Sequence, residues 1–338
     1  MAEQNIKMNV KTDTGYDTLY PQTKADIVSF NDTQSMVKGK TVQENLKNTV
    51  DELYHPNLLI NGDFQIWQRG TNFPNSKTGG FSADRWKTYT EGQGSLNIRN
   101  SNGRMLITGN GKGRYVISQY LLITDEIKDK LKQSSRLSIN NLYVTNKNMQ
   151  IGCSINLINR GESNNKNIYN KIISAIGGRS IELKDSFNFD ANNLDNYEFI
   201  QFNIASISQT ESINNLYIYH GQLTYGNTAL FYPKSYAQEY LDCCRYYIKK
   251  PALRSVKLQN TDSTKFYTTI NGEFPVEMIG IPTVTYEKIM TGEGTVLSTV
   301  ANFANRVNNK EITSIAFSTN QNAGLISIIN TEINAEIL

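Results

Sequence analysis

Both tryptophans of this chain fall in one stretch, residues 57–86, NLLINGDFQIWQRGTNFPNSKTGGFSADRW. Leu58, Leu59 and Ile60 open it as an apolar run, and Asn61, Gly62 and Asp63 form a polar corner. Phe64, Ile66 and Trp67 follow, Gly, Asn, Pro and Ser break the segment between 70 and 80, and Ala83, Asp84, Arg85 and Trp86 close it. The order predicts a strand, a tight turn, a second strand and a glycine-rich loop. A buried aromatic side chain removes ~150–250 Å² from water, so two indoles this close must anchor one β core.

Downstream the apolar residues keep a period of two. Ile200, Phe202 and Ile204 share one strand face, as do Leu216, Ile218 and His220, with Tyr217 and Tyr219 opposite. Asn-rich breaks at 100–103, 145–148, 161–167 and 190–196 read as loops, and TDEIKDKLKQSS (124–135) as a short helix. Many short strands without alternating helices predict an antiparallel sandwich over 57–234, and no repeat of solenoid or propeller length is visible.

Two further helices are predicted. Thr41 and Glu44 form a capping box after Gly39, and Val42, Leu46, Val50 and Leu53 make one apolar stripe that ends before Pro56. Fourteen residues are marginal alone, so the stripe packs either in a short coiled coil with other copies of the chain or on the chain's own sandwich. Ser235 caps YAQEYLDCCRYYIKK, which places Tyr236, Tyr240, Cys244 and Tyr247 on one side and ends at Pro251. Beyond it KFYTTI, TVTYEKI, TVLSTV, TSIAFST and GLISIINTEINAEIL predict a smaller β domain over 252–338, with Ile333–Leu338 closing its sheet.

A net charge of +3 with no dense Lys/Arg stripe argues against nucleic acid. Cys153, Cys243 and Cys244 make neither a disulfide framework nor a CxxC zinc pair, and read as buried thiols. No apolar leader and no run of 18 apolar residues appears, so neither secretion nor membrane insertion is expected.

Four islands of sequence resemble a known family. NLLINGDFQIWQRG…ADRW is similar to the opening of the carbohydrate-binding-module-like sandwich of bacteriophage tail fibres and receptor-binding proteins. LFYPKSYAQEYLDCCRYY (230–247) resembles that family's proline, Ser-Tyr, Glu-Leu-x-x-Cys-x-Arg-Tyr-Tyr signature, with Tyr240 in place of leucine. FPVEMIGIPTVT (274–285) and the terminal NAEIL follow in the family's order. The resemblance implies a mainly β homotrimer with a jelly-roll sandwich, located in the virion tail and released by lysis. It divides the chain into an attachment segment (1–36) for baseplate or tail proteins, a helical stem (37–56), the jelly roll (57–234), a connector helix (235–251) and a C-terminal tip domain (252–338). Tyr16, Leu19, Tyr20 and Pro21 are then the particle-attachment residues, unless they form a strand that folds back on its own domain.

No catalytic pattern assembles. His55 and His220 belong to no HExxH or Ser/His/Asp arrangement, and TGNGKG and TGEGT lack the Lys-Ser/Thr of a phosphate loop. Asn61 and Asp63 are too few for calcium, which takes six to eight oxygens. A non-enzymatic protein with no cofactor is expected, gripping host surface glycan through exposed aromatics flanked by amides. Tyr89, Tyr267, Tyr286 and Phe317 are the candidates, whereas Trp67 and Trp86 are assigned to the core. The alternatives are a polysaccharide depolymerase, whose two facing carboxylates could be scattered in sequence, and a fibre or baseplate component that never touches the host.

Overall fold

The period-two patterns become long antiparallel strands in the computed structural model. It describes residues 8–12, 15–19, 57–76, 78–92, 94–110, 113–159, 165–192, 194–209, 213–226, 230–255, 259–262, 265–291, 295–296, 301–319 and 326–336. Residues 1–56 form one unit and 57–338 another. In the first, β1 (Met8–Thr12) pairs with β2 (Gly15–Leu19), Met8 opposite Leu19 and Lys11 opposite Tyr16. Tyr20, Pro21 and the stem residues Val42, Leu46, Val50 and Leu53 lie outside the described residues, as do the side chains of Tyr16 and Leu19.

The second unit begins with a β-sandwich. One sheet runs β10 (Lys166–Ala175), β9 (Met149–Ile158), β12 (Phe199–Gln209), β7 (Gly113–Leu122), β4 (Lys87–Gly92). The other runs β11 (Ser180–Asn188), β8 (Arg136–Thr145), β13 (Ile213–Tyr225), β6 (Met105–Asn110), β5 (Ser95–Asn100), β3 (Asn72–Ser76). From β10 to β13 the chain changes sheet at every step, the winding of a jelly roll. Alternation fixes what lies between the sheets. Tyr115, Ile117 and Leu121 of β7 and Ile151, Cys153, Ile155 and Leu157 of β9 meet Ile139 and Tyr143 of β8 and Leu216, Ile218 and Leu223 of β13. Each buried aliphatic side chain contributes roughly 1.5–3 kcal/mol.

The opening stretch is not the pair of strands its pattern predicts. Residues 57–71 hold turns and irregular backbone, and the first strand of the sandwich is β3. Asn61 and Phe64 sit in the left-handed region (φ 57° and 58°), where no ladder can continue. The Asn61 amide replaces that ladder, donating to the carbonyls of Ile66 (2.8 Å) and Asp84 (3.1 Å) and accepting from Ile66 N–H (2.9 Å). Trp86 does reach the core, fully buried between Phe64 and Phe202. Trp67 is only partly buried, packing on Phe73.

Helix α1 (Asp125–Ser134) forms where expected, with Thr124 as N-cap accepting from Ile127 N–H. Helix α2 (Tyr236–Cys244) is shorter than its pattern, because Tyr247–Lys250 turn into β14 (Tyr247–Ser255). Tyr247 and Ile248 pair with Asn334 and Ile333, a ladder a longer helix would forfeit. Pro251 therefore lies within an edge strand, where a missing N–H is tolerated, and does not end the helix. The buried face of α2 is Glu239, Cys243 and Cys244, while Tyr236 is exposed and Tyr247 has left the helix.

Two four-stranded sheets follow. β14, β21 (Ile326–Asn334) and β17 (Thr283–Thr285) make one, with β18 (Lys288–Thr291) also on β21. β15 (Gln259–Asp262), β16 (Lys265–Glu273), β20 (Glu311–Thr319) and β19 (Ala301–Val307) make the other. β19 falls on ANFANRV, whose alanines and asparagines gave no strand signal. Of TVLSTV only Thr295 and Val296 are described, with Val296 bridged to Met290. Cys244 and Ile248 join Ile312, Ile328 and Ile333 in the core here. Ile333 lies in the central strand β21, which stops at Asn334, and residues 337–338 lie outside the described residues. Glu336 turns back to the sandwich, bonding Arg85 and lying 3.3 Å from Arg69.

Candidate functional site

The outward face of the five-stranded sheet carries polar side chains from every strand. Because β7 buries its odd-numbered residues, Arg114, Val116, Ser118 and Tyr120 stand on the other side. Ladder register lines up neighbours on that face. One rung reads Asn170, Ser154, Asn203, Ser118, Lys87 across all five strands. The next reads Asn167, Asn156, Gln201, Tyr120. Beyond the first rung, on the other side, stand Ile172 beside Gly152 and Val116 beside Tyr89.

Side-chain size shapes this face into a trough. Gly152, Ser154 and Ser118 leave its floor low, while Tyr89, Arg114 and Tyr120 rise around it. Two adjoining hollows of about 340 and 380 Å³ result, sharing Arg114, Asn156 and Asn203. Each falls in the roughly 300–1,000 Å³ range of ligand pockets.

Polar atoms in the trough are held in place. Asn167 donates to Asn156 (2.8 Å), Asn156 to Gln201 (3.0 Å), and Gln201 to the Tyr120 hydroxyl (2.7 Å). Since Tyr120 Oη accepts in that chain, its own proton is left to donate. Burial pushes the Tyr120 phenol upward, despite the Gln201 hydrogen bond, so it stays protonated. Asn203 donates to Ser154 Oγ (2.9 Å), yet its Oδ1 is buried without a partner, with the residue only 7% exposed. An unpaired buried amide oxygen costs ~1–3 kcal/mol.

Of the four aromatics predicted to touch a ligand, Tyr89 is brought here and is 41% exposed. Tyr286 is elsewhere, partly buried against the C-terminal core. Tyr267 stands opposite Ser318 and Phe317 opposite Thr268 in the β16–β20 ladder, and their side chains lie outside the described residues. Tyr120, Asn156, Gln201 and Asn203 were missed. Their signal was the polar alternate position of strands read only for their apolar face.

Other candidates resolve differently. His220 does not share a face with Ile218, because a bulge at Tyr219 shifts the register: Ile218 opposes Tyr143 and His220 opposes Leu142. The imidazole stacks on Phe231 (4.0 Å) beside Asn140, and burial pulls its pKa down to about 4, leaving it neutral at pH 7. Asn61 is committed to backbone as described, and Asp63 Oδ2 accepts from Gln65. Among the described residues no three His, Cys, Asp or Glu side chains gather as metal ligands. No described helix is long and apolar enough to cross a membrane. All three cysteines are free and buried, with Cys153 pushed up to about 12 by burial.

No protein-family model matches the chain. No curated protein matches it either. Solved structures are similar at the level of fold. A family 4 carbohydrate-binding module aligns over 49% of this chain and 97% of its own, at 11% identity and a TM-score of 0.34. A family 11 module from Clostridium thermocellum, solved with a β-1,3-1,4-mixed-linked tetrasaccharide, aligns over 48% and 99%, at 14% identity and 0.30. A xylan-binding domain of family 22 aligns over 48% and 98%, at 9% identity and 0.30. Likeness this distant says nothing about ligand, which is read from the trough alone.

Proposed function

We propose that this protein binds glycan in the trough of its five-stranded sheet. The observation that carries this reading is the rung of amides and hydroxyls spanning the sheet, with the exposed Tyr89 ring lining the same hollow. Sugars present hydroxyl groups that both donate and accept, and CH faces that stack on aromatic rings, so this surface offers what they need. Among the described residues no carboxylate lines either hollow, which favours holding a glycan over hydrolysing one.

The sequence islands extend the reading to a non-enzymatic tail fibre or receptor-binding protein of a phage or phage-tail-like particle. Its residues 1–36 attach to the baseplate or tail, and the stripe Val42, Leu46, Val50 and Leu53 joins three copies. A site as weak as ~1 mM, about −4 kcal/mol, then suffices, because three sites on one stem multiply affinity without new contacts.

Two measurements test this. On an array of envelope polysaccharides the purified protein is expected to bind, and Asn203→Ala to weaken binding about 3- to 10-fold with little change in melting temperature. Absence of binding to every glycan, or an unchanged Asn203→Ala protein, removes the site. Leu46→Asp is expected to reduce the mass by light scattering from trimer to monomer with the strand circular-dichroism signal intact. An unchanged mass places the stripe within its own subunit.

A further inference from the structure

We propose that the glycan held in this trough is anionic, its carboxylate or phosphate groups neutralised by Arg114 and Lys87; this rests on the trough being a glycan site. Its described lining carries these two cations and no acid.

Arg114 stands where the two hollows meet, exposed, and makes no ion pair among the described residues. Glu91, opposite it in the β4–β7 ladder, is also exposed and makes no ion pair among them. Lys87 is a surplus charge for a different reason. The acid that acts on it, Glu336, is already bonded by Arg85 and Arg69, and Asp84 lies 3.6 Å from Arg69. Three cations, Arg69, Arg85 and Lys87, thus face two carboxylates, Asp84 and Glu336. The uncompensated charge is Lys87, set between the rings of Phe81 (5.0 Å) and Tyr120 (5.7 Å). Partial burial pulls its pKa down, with Arg85 and Arg69 adding repulsion and Glu336 opposing them. An incoming anion would reverse that strain.

Spacing indicates a polymer. Lys87 opposes Ser118, four residues along β7 from Arg114, so the two cations are on the order of 13 Å apart along the strand. A single sugar ring cannot span both, whereas a chain charged at intervals can. Single-stranded nucleic acid wants a longer cationic track and stacked bases. Here two cations sit among amides and hydroxyls.

The test is binding of the purified full chain to polygalacturonate, to a phosphodiester-linked glycerol polymer, to neutral dextran and laminarin, and to an oligothymidylate, at low and high salt. Expected is retention on at least one of the two anionic polymers in preference to the neutral glucans, weakening as salt rises. Which of the two binds distinguishes a carboxylate from a phosphate ligand. Arg114→Gln is expected to weaken it about tenfold and Arg114→Lys less, with melting temperatures unchanged. Equal or tighter binding of a neutral glucan, or an Arg114→Gln protein that binds as before, overturns the charge assignment and leaves a neutral glycan site. Preference for the oligothymidylate overturns it in favour of nucleic acid. No binding to any polymer overturns the glycan reading as well.

Discussion

Asn61 shows how much one amide can organise. Its side chain makes three bonds to main chain, its own N–H donates to Glu239 (2.6 Å), and its carbonyl accepts from Trp86 Nε1 (2.9 Å). Next to it Gly62 has no room for a side chain, because a Cβ would lie 2.5 Å from the Gly221 carbonyl. Asn61→Ala leaves buried backbone groups unpaired at ~1–3 kcal/mol each. The expected result is a fall in unfolding free energy of roughly 3 kcal/mol or more, read as a lower urea midpoint with an unchanged slope. The polar corner was legible in the sequence, but its role was not. Besides the nearby Ile66, the partners of Asn61 come from Asp84 and Glu239, farther along the chain, and no local pattern contains those two. Tyr89 was legible as an aromatic flanked by hydroxyl side chains, Thr88 and Thr90. Asn203 was not, because an asparagine within an apolar strand reads as noise until its cross-strand neighbours are known.

At the scale of elements, register and caps decided what periodicity could not. Period two located β7, β9 and β12, yet it could not foresee the extra residue that turns His220 away from Ile218. The apolar spacing of α2 pointed to its tyrosines and Cys244, while the helix also buries a carboxylate, Glu239, beside Cys243 and Cys244. Burial raises Glu239 to about 7, with Asp63 and Asp242 adding to the rise and Lys234 and the Asn61 N–H opposing it. Between the ordinary glutamate value near 4.5 and about 7, the folded chain holds a proton that the unfolded chain has released. Stability therefore falls as pH rises through that window and levels off above it. Glu239→Gln keeps an acceptor for Asn61 and has no proton to lose. Its stability relative to wild type is expected to rise by roughly 3 kcal/mol between pH 4.5 and 8. A difference independent of pH in matched urea titrations would show that Glu239 stays ionised.

Across the whole molecule, the sandwich and the C-terminal sheets are joined through charge. Asp84, pushed up to about 6 chiefly by burial and held back by Arg69, lies in the opening stretch, and Glu336 reaches it from beyond β21. Arg69 and Arg85 also lie over the rings of Tyr247 and Tyr246, each 3.6 Å from the ring centroid. Glu336→Gln removes the acid and leaves two buried guanidiniums with one carboxylate. Removing one partner of a buried pair costs about 3–5 kcal/mol, so the expected outcome is a clearly lower denaturation midpoint for the whole 57–338 unit. Separate transitions for the sandwich and the C-terminal sheets in that variant would identify Glu336 as their coupling. The sequence announced two β regions and a helix between them, but not this joint. A lone Glu after the last strand carries no local sign of a partner more than two hundred residues earlier.

That joint also sets a clock on biosynthesis. Arg85 emerges 251 residues before Glu336. At ~5–20 residues per second, two guanidiniums must wait on the order of tens of seconds for the acid that neutralises them. Until then the nascent jelly roll keeps that corner open to water, so its final closure follows the translation of β21 and cannot keep pace with its own strands.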